Sequence, residues 1–365
     1  MNIVTTLPIT PRRDPPLGLF LQPFICDLIS HSNLSLQYIQ SFNLMGRKTN
    51  MDTETFLAKM KYMGIIPPQI WFDTASDNIE ILSALINHFI AEDKIIIEKT
   101  AVVSCSCGRV ETLATPDNIK AIKQSKSKGK LIFEQHNELY CKICCSLLKI
   151  RLDYVLLFHT GFYKPDYEIK ISPSNFKAEF NQLWCYFNNK KILISRSSLP
   201  HPLIPTIAGE FRIDVDFLWQ NIINIFHLQH NTVNIIVTSH KLMQKMVFAL
   251  IFAREFGTPP PSNVILLPYI HLTEHHSEVY DYMKLAPCLL RAFLLLGWSR
   301  QKKISLEFKQ LSRLKIPDPE SPTRRNSSLG NIPRNFNPSA LFKLCAKHSD
   351  KYSDEELQIL SLLKP

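Results

Sequence analysis

The sequence predicts an α/β fold on a parallel sheet, split by an inserted cysteine-bearing module and closed by a helical C-terminal tail. Three observations carry this. Residues 233–268 read as the strand VNIIVT, the helix HKLMQKMVFALIFAREFG, a TPPPS turn and the strand NVILLP. Two apolar strands joined by one long helix form a βαβ unit, and such units place their strands parallel in one sheet. Residues 2–7 (NIVTTL) are a further β-branched strand followed by a helix. Between the two halves, Cys105, Cys107, Cys141 and Cys144 mark a stretch of different character.

The elements follow in order. After the first strand, PITPRRDPP is a stiff Pro-rich loop, and LGLFLQPFICDLIS reads as a helix interrupted or kinked near Pro23. Asp52 to Gly64 is a second helix. Asp52 caps it, Phe56, Leu57, Met60 and Met63 give its apolar face, and Gly64 ends it. Ser76 to Ile90 is a third, with Ser76 or Asp77 as cap and Ile79, Leu82, Leu85, Ile86 and Phe89 at helical spacing. Residues 101–150 hold the paired cysteines around IKAIKQSKSKGK (119–130), read as a loop open to water or phosphate. In the helix of the βαβ unit, Leu242, Met243, Met246 and Leu250 share one side as core, and Gly257 is its stop. Past Gly297 the chain turns polar. Residues 315–339, rich in Pro, Ser, Asn and Arg, read as a linker before a short helix whose Ser353 and Glu356 fit a capping box.

Composition narrows the function classes. An apolar share of 45% supports a sizeable core. Lys and Arg exceed Asp and Glu by 42 to 32, a net charge of +10 that favours an acidic partner. Only 10 glycines occur, and neither GxGxxG nor GxxxxGK[ST] is present, which argues against Gly-rich phosphate loops. No run approaches the roughly 18 apolar residues of a membrane span, since Leu289 to Trp298 is cut by Arg291. The N-terminus carries Arg12 and Arg13 after its apolar residues, the reverse of a secretory signal. Nine clustered cysteines, an odd count, fit a reduced cytoplasmic protein with a metal site better than a disulfide scaffold. Cys105-x-Cys107 and Cys141-x-x-Cys144 are two short-spaced thiol pairs suited to a tetrahedral zinc ion. Four thiolates leave no open position, so such a metal is structural. Cys145 stands as a spare.

Val4-Thr5-Thr6-Leu7-Pro8 followed by Pro15-Pro16-Leu17-Gly18-Leu19 resembles the first strand and signature loop of class I aminoacyl-tRNA synthetases, the methionyl type most closely. Other segments extend the likeness in chain order over roughly residues 2–300. Asp93 to Cys107 resembles the approach to that family's zinc-bearing insertion, and the four cysteines resemble its knuckle. Leu193-Ile194-Ser195-Arg196 with Leu203-Ile204-Pro205 is similar to the return into the catalytic fold. Asp214 to Trp219 resembles the aromatic strand by the amino-acid pocket, and Arg291-Ala-Phe-Leu-Leu the helix beyond the second signature. The resemblance implies a Rossmann-like nucleotide fold divided into residues 1–100 (first half), 101–190 (inserted zinc-knuckle module), 191–300 (second half) and 301–365 (linker and helical tail). It also implies tRNA as the acidic partner, with ATP as the family's cofactor.

The departures fall on the chemistry. The last four places of the family's Pro-His-Leu/Ile-Gly-His/Asn signature hold Pro16, Leu17, Gly18 and Leu19 here, after Pro15, and both polar contacts are lost. Such electrostatic contacts are each worth on the order of a few kcal/mol at a developing phosphate charge. The Lys-Met-Ser-Lys-Ser place holds Leu272-Thr273-Glu274-His275-His276-Ser277, and the Gly-Lys-Asp place holds Ser239, His240 and Lys241. The stretch after Arg300 is shorter than the family's anticodon-binding domain. Three readings follow. The chain is a synthetase-like scaffold that binds tRNA, aminoacyl-tRNA or a protein partner without ordinary adenylation. Alternatively it is a divergent ATP-dependent ligase or aminoacyl-transfer enzyme, using a pocket near Thr6, Asp216, Trp219 and His240 with Arg12, Arg13 or Lys241 on phosphate. Alternatively it is a purely structural interaction protein. Lys120, Lys123, Lys126, Lys128 and Lys130 either track an RNA backbone or form a solvated face; Arg324 and Arg325 carry the same two readings. Trp219 and Phe217 line a ligand pocket or pack as core. His271, His275 and His276 read as a solvated loop rather than a metal or phosphate site.

Overall fold

The computed structural model describes residues 2–45, 51–108, 110–125, 132–162, 164, 169–197, 201–229, 232–272, 290, 291, 294 and 303–306. The expected linker at 315–339, the Ser353–Glu356 capping box and the helical tail lie outside the described residues.

The chain opens with β1 (Asn2–Thr6), a 3-10 turn at Leu17–Phe20, α1 (Leu21–Ser32), β2 (Leu36–Phe42), α2 (Thr53–Tyr62), β3 (Gln69–Phe72) and α3 (Ser76–Ala91). The insertion follows with β4 (Ile95–Ser104), β5 (Glu111–Leu113), α4 (Pro116–Ser125), β6 (Ile132–Gln135), β7 (Glu138–Cys141) and β8 (Lys149–His159). Next come β9 (Lys170–Ser172), α5 (Lys177–Phe187), β10 (Lys191–Leu193), β11 (Ser195–Arg196), β12 (Leu203–Thr206), β13 (Gly209–Ile213), α6 (Val215–Gln220) and α7 (Ile222–Leu228). The second half ends with β14 (Thr232–Ser239), α8 (Met243–Glu255), β15 (Asn263–Leu267), β16 (Tyr269–Leu272) and β17 (Lys303–Leu306).

Six strands form one sheet in the order β3-β2-β1-β14-β15-β9, and every neighbouring pair is parallel. Through its first five strands this is the Rossmann-like order, with the chain reversing direction across the sheet between β1 and β14. The expected βαβ unit is β14–α8–β15. A parallel sheet has both faces covered, and alternate residues serve opposite layers. Ile3, Ile39, Ile236, Val264 and Leu266 enter one core, while Val4, Tyr38, Val237, Ile265 and Leu267 enter the other. Strand β9 and helix α5 lie within the 101–190 stretch of sequence, yet β9 pairs with β15 and α5 packs on α8.

Several elements differ from the sequence reading. The break near Pro23 is a change from 3-10 to α geometry at Leu21, and Pro23 sits in the first turn, where its missing N–H costs nothing. Helix α3 is entered through Ala75 without a side-chain cap, because the Ser76 hydroxyl turns to the Asp77 carboxylate. Asp214 to Trp219 is not a strand: Asp214 accepts from the Asp216 N–H and caps helix α6. Residues 119–125 belong to helix α4 rather than to a loop. Helix α8 is not one-sided either. Every residue from Met246 to Ala253 is buried, because the sheet covers one side and α5, α6 and α7 the others. Asp52 does cap α2, accepting from Thr55 N–H at 2.9 Å, and Gly64 follows that helix at φ +69°, left-handed backbone that suits glycine.

The insertion is an antiparallel arm. β4 and β8 pair from Ile95↔Phe158 to Ser104↔Lys149, with β5 beside β4 and β10 beside β8. Its far end encloses a small core of Val103, Cys105, Val110, Ile122, Ile132 and Cys141. Buried Arg291 ties the chain beyond β16 to the first half, donating to Met63 O at 2.9 Å and stacking 4.9 Å over Phe24.

Phe252 is the aromatic hub of α8, with ring centroids of Phe158 at 4.6 Å, Phe217 at 5.1 Å and Phe248 at 6.0 Å. Phe252→Ala is expected to cost about 3–5 kcal/mol, read as a lower urea midpoint at unchanged m.

Candidate functional site

Two places in the fold gather chemistry. The first is the tip of the insertion. Cys105 follows β4, Cys107 lies two residues on, Cys141 ends β7, and Cys144 closes the next turn. Their four sulfurs all lie within 4.8 Å of one another. Cys105 Sγ is 3.5 Å from Cys107 Sγ, which is 3.8 Å from Cys141 Sγ. Four thiolates around a tetrahedral zinc at ~2.3 Å stand about 3.8 Å apart, so the donor set fits that ion.

Local structure holds the sulfurs there. The Val110 N–H points at Cys105 Sγ (3.3 Å) and the Ile143 N–H at Cys141 Sγ (3.4 Å), the inward amides that stabilise thiolates. Hydrogen bonds from the Ser106 and Ser146 hydroxyls lower Cys144 to about 5, while burial first of all raises Cys141. The Ser106 N–H donates to Ser146 Oγ at 3.1 Å and ties the two cysteine turns together. Cys145 is exposed at φ +52°, a turn position pointing out of the cluster, which explains the spare thiol.

The second place is the carboxyl end of the parallel sheet. In open α/β sheets ligands bind outside the strand ends, where the strand order reverses; here that is between β1 and β14. Thr6, at the end of β1, is fully buried and accepts from Gln40 Nε2 at 3.3 Å. In the following loop, Arg12, Arg13 and Pro16 are exposed, Gly18 is half-buried, and Leu17 is buried. Leu17 and Leu19 both pack on the second core, so neither offers a polar atom outward beyond its backbone. Lys59 Nζ holds the loop at Arg13 O (2.7 Å), and β16 runs beside the Leu17–Phe20 turn.

At the end of β14, His240 packs 4.7 Å from the Phe176 ring and lies 3.2 Å from Glu179 Oε1, while Lys241 is exposed. Asp216 and Trp219 come together one turn apart on α6. Lys245, from the first turns of α8, reaches both: its ammonium is 2.7 Å from Asp216 Oδ2 and 4.6 Å from the Trp219 ring centroid. The Trp219 indole donates at 3.2 Å to Asp73, which stands just past β3 and also accepts from Leu44 and Met45 N–H. Burial raises the Asp73 pKa, and those three donors pull it back. Asp73, Lys245 and Glu179 are absent from the sequence reading. Asp73 had one signal, a carboxylate placed directly after a short apolar strand. Lys245 and Glu179 had none.

Lys120 is exposed on α4 and Lys123 lies on the same helix; Lys126, Lys128 and Lys130 lie outside the described residues, as do His275 and His276. Among the described residues no helix is long and apolar enough to cross a membrane.

No family model and no curated protein sequence matches the chain. Solved structures do. Mycobacterium tuberculosis methionyl-tRNA synthetase in complex with methionyl-adenylate superposes with a TM-score of 0.62 at 12% identity, over 85% of this chain and 67% of that one. A second structure of that enzyme bound by methionyl-adenylate gives the same values. Its apo form gives 0.61 at 12% identity, over 85% and 64%. The chain therefore has a class I synthetase-like fold.

Trp219→Phe keeps the ring and removes the donor to a buried carboxylate. It is expected to lower stability by about 1–3 kcal/mol in urea unfolding followed by circular dichroism.

Proposed function

We propose that this chain is a class I aminoacyl-tRNA synthetase-like protein, of methionyl type, that keeps the scaffold and binds tRNA or aminoacyl-tRNA without ordinary adenylation. The observation that carries this reading is the loop beside the sheet's reversal point. Pro16 and Leu19 stand where the family has side chains that grip ATP phosphates, and Leu19 packs on the core instead. The strand-end side chains that remain are engaged with one another: His240 with Phe176 and Glu179, Asp216 and Trp219 with Lys245. The net charge of +10 and the exposed Lys120 on α4 supply affinity for a polyanion. Free thiols suit a reducing compartment such as the cytoplasm.

One observation favours a remodelled ligase as the second reading. Arg12 and Arg13 are exposed in the loop next to the altered signature, and guanidinium groups suit phosphate. ATP–pyrophosphate exchange separates the two. No exchange is expected with any of the twenty amino acids. Exchange that disappears in Arg12→Ala/Arg13→Ala would move the function to the ligase. Filter binding at two salt concentrations is expected to show tRNA retained at physiological salt; association fully suppressed there leaves only a protein-interaction role.

The four cysteines are proposed to hold a structural zinc. Cys105, Cys107, Cys141 and Cys144 would be its ligands, and the ion would cross-link β4 to β7 where the tip has only a small core. Metal analysis is expected to find about one zinc per chain, lost in Cys141→Ser/Cys144→Ser and released as pH falls, because thiolates must protonate to leave. A folded sample with no metal would refute this.

A further inference from the structure

Strand β8 has an edge that the described residues leave open. β4 covers one side of it from Lys149 to Phe158. On the other side β10 covers only Leu157–His159. Leu156 is met there by the Ile194 N–H at 3.1 Å and the Ser195 hydroxyl at 2.9 Å, so its C=O and N–H both point to that side. Alternate residues of an extended strand point the same way. The backbone groups of Tyr154, Leu152 and Ile150 therefore face the open edge. Tyr154 N–H turns back to Asp153 Oδ1 (2.9 Å), a local substitute for a strand partner.

The side chains match this edge. Ile150, Leu152 and Tyr154 share one face and are 63%, 71% and 63% exposed. An apolar row on an open edge is the arrangement that pairs with another strand. Lys149, Arg151 and Asp153 occupy the opposite face, where the part-exposed Arg151 guanidinium lies 3.2 Å from Glu111 Oε1 and 3.2 Å from Asp153 Oδ2 of its own chain, contacts that a second copy's Asp153 would share.

We propose that this edge pairs antiparallel with the same edge of a second copy of the chain, about a twofold axis at Leu152. Backbone direction allows only residues of the Ile150–Leu152–Tyr154 set to face one another. With the axis at Leu152, Ile150 stands opposite Tyr154 of the second copy, and Arg151 opposite its Asp153, on both sides of the axis. Moving the axis to Arg151 or to Asp153 sets Arg against Arg or Asp against Asp, and like charges directly opposite destabilise a sheet. The charge order of Arg151-Leu152-Asp153 is self-complementary in one register, which makes a second copy, rather than an unrelated extended peptide, the occupant. The contact is isologous and closed. It joins the two arms into one continuous sheet, β5-β4-β8 running into β8-β4-β5.

Sedimentation equilibrium of the full chain over a concentration series tests this. The unmodified chain is expected to be a dimer. Leu152→Pro removes an N–H that faces the second copy and none that faces β4, and an edge strand tolerates proline. Asp153→Arg sets like charges opposite each other. Each change occurs twice across the axis, so each is expected to weaken the dimer by about tenfold or more, with the far-UV circular dichroism spectrum unchanged. An unmodified chain that sediments as a monomer throughout, or either variant keeping the dimer at full strength, overturns the proposal.

Discussion

An all-parallel sheet has to be covered on both faces, and the rest of this structure follows from that constraint. Consecutive residues Ile3 and Val4 enter different cores, and so do Ile236 and Val237. A one-residue slip in any of these strands would exchange the layers. The covering elements come from distant parts of the chain. Helix α1 with α2 closes one side, and α8 with α3, α5, α6 and α7 closes the other. This is why β9 and α5 return to the sheet between β8 and β10 of the arm. The insertion is a detour in sequence whose tip has its own small core, while its base, Ile95 on β4 and Leu156 and Phe158 on β8, packs into the first core.

Periodicity made part of this legible. VNIIVT and NVILLP are short apolar runs flanking a long helix, and that pattern has few structural solutions. The thiol pairs were legible because ligand spacing is local. What escaped depended on tertiary context. The segment DVDFLW has the aromatic and β-branched composition of a strand, yet the Asp214 side chain satisfies the Asp216 N–H and starts a helix. A two-residue cap outweighed the propensity of the four residues after it. The one-sided reading of α8 failed for the opposite reason. Its stripe was real, but Val247, Phe248, Ile251 and Phe252 are apolar as well, and a helix apolar all round has to be buried all round.

At the strand ends, local pattern says little about who meets whom. Trp219 and Asp216 were visible only as an aromatic and an acid in a segment that resembled a strand. Their partners come from β3, from the loop after β2 and from α8. The resulting chain runs from the amides of Leu44 and Met45 through Asp73 and Trp219 to Lys245 and Asp216. The inner links satisfy a buried carboxylate, while the Lys245–Asp216 pair at the outer end is only partly buried. Asp73 is buried with its pKa raised, and the indole and two amides offset that cost. The chain pins α6 against both halves of the sheet, a structural role whatever ligand the neighbouring surface takes.

This division explains how such a fold tolerates changes of chemistry at its strand ends. Residues that build the sheet point into the two layers, as Ile3, Val4, Leu17 and Phe20 do. Residues that would touch a ligand project from strand ends and loops, where the layers make no demand on them. The leucine at position 19 adds contact to the second core and offers no side-chain hydrogen-bond donor. Gly18 lies between two residues whose side chains turn inward. Packing and ligand chemistry are therefore held by different residues, and the order β3-β2-β1-β14-β15 is fixed by burial whatever the strand ends carry.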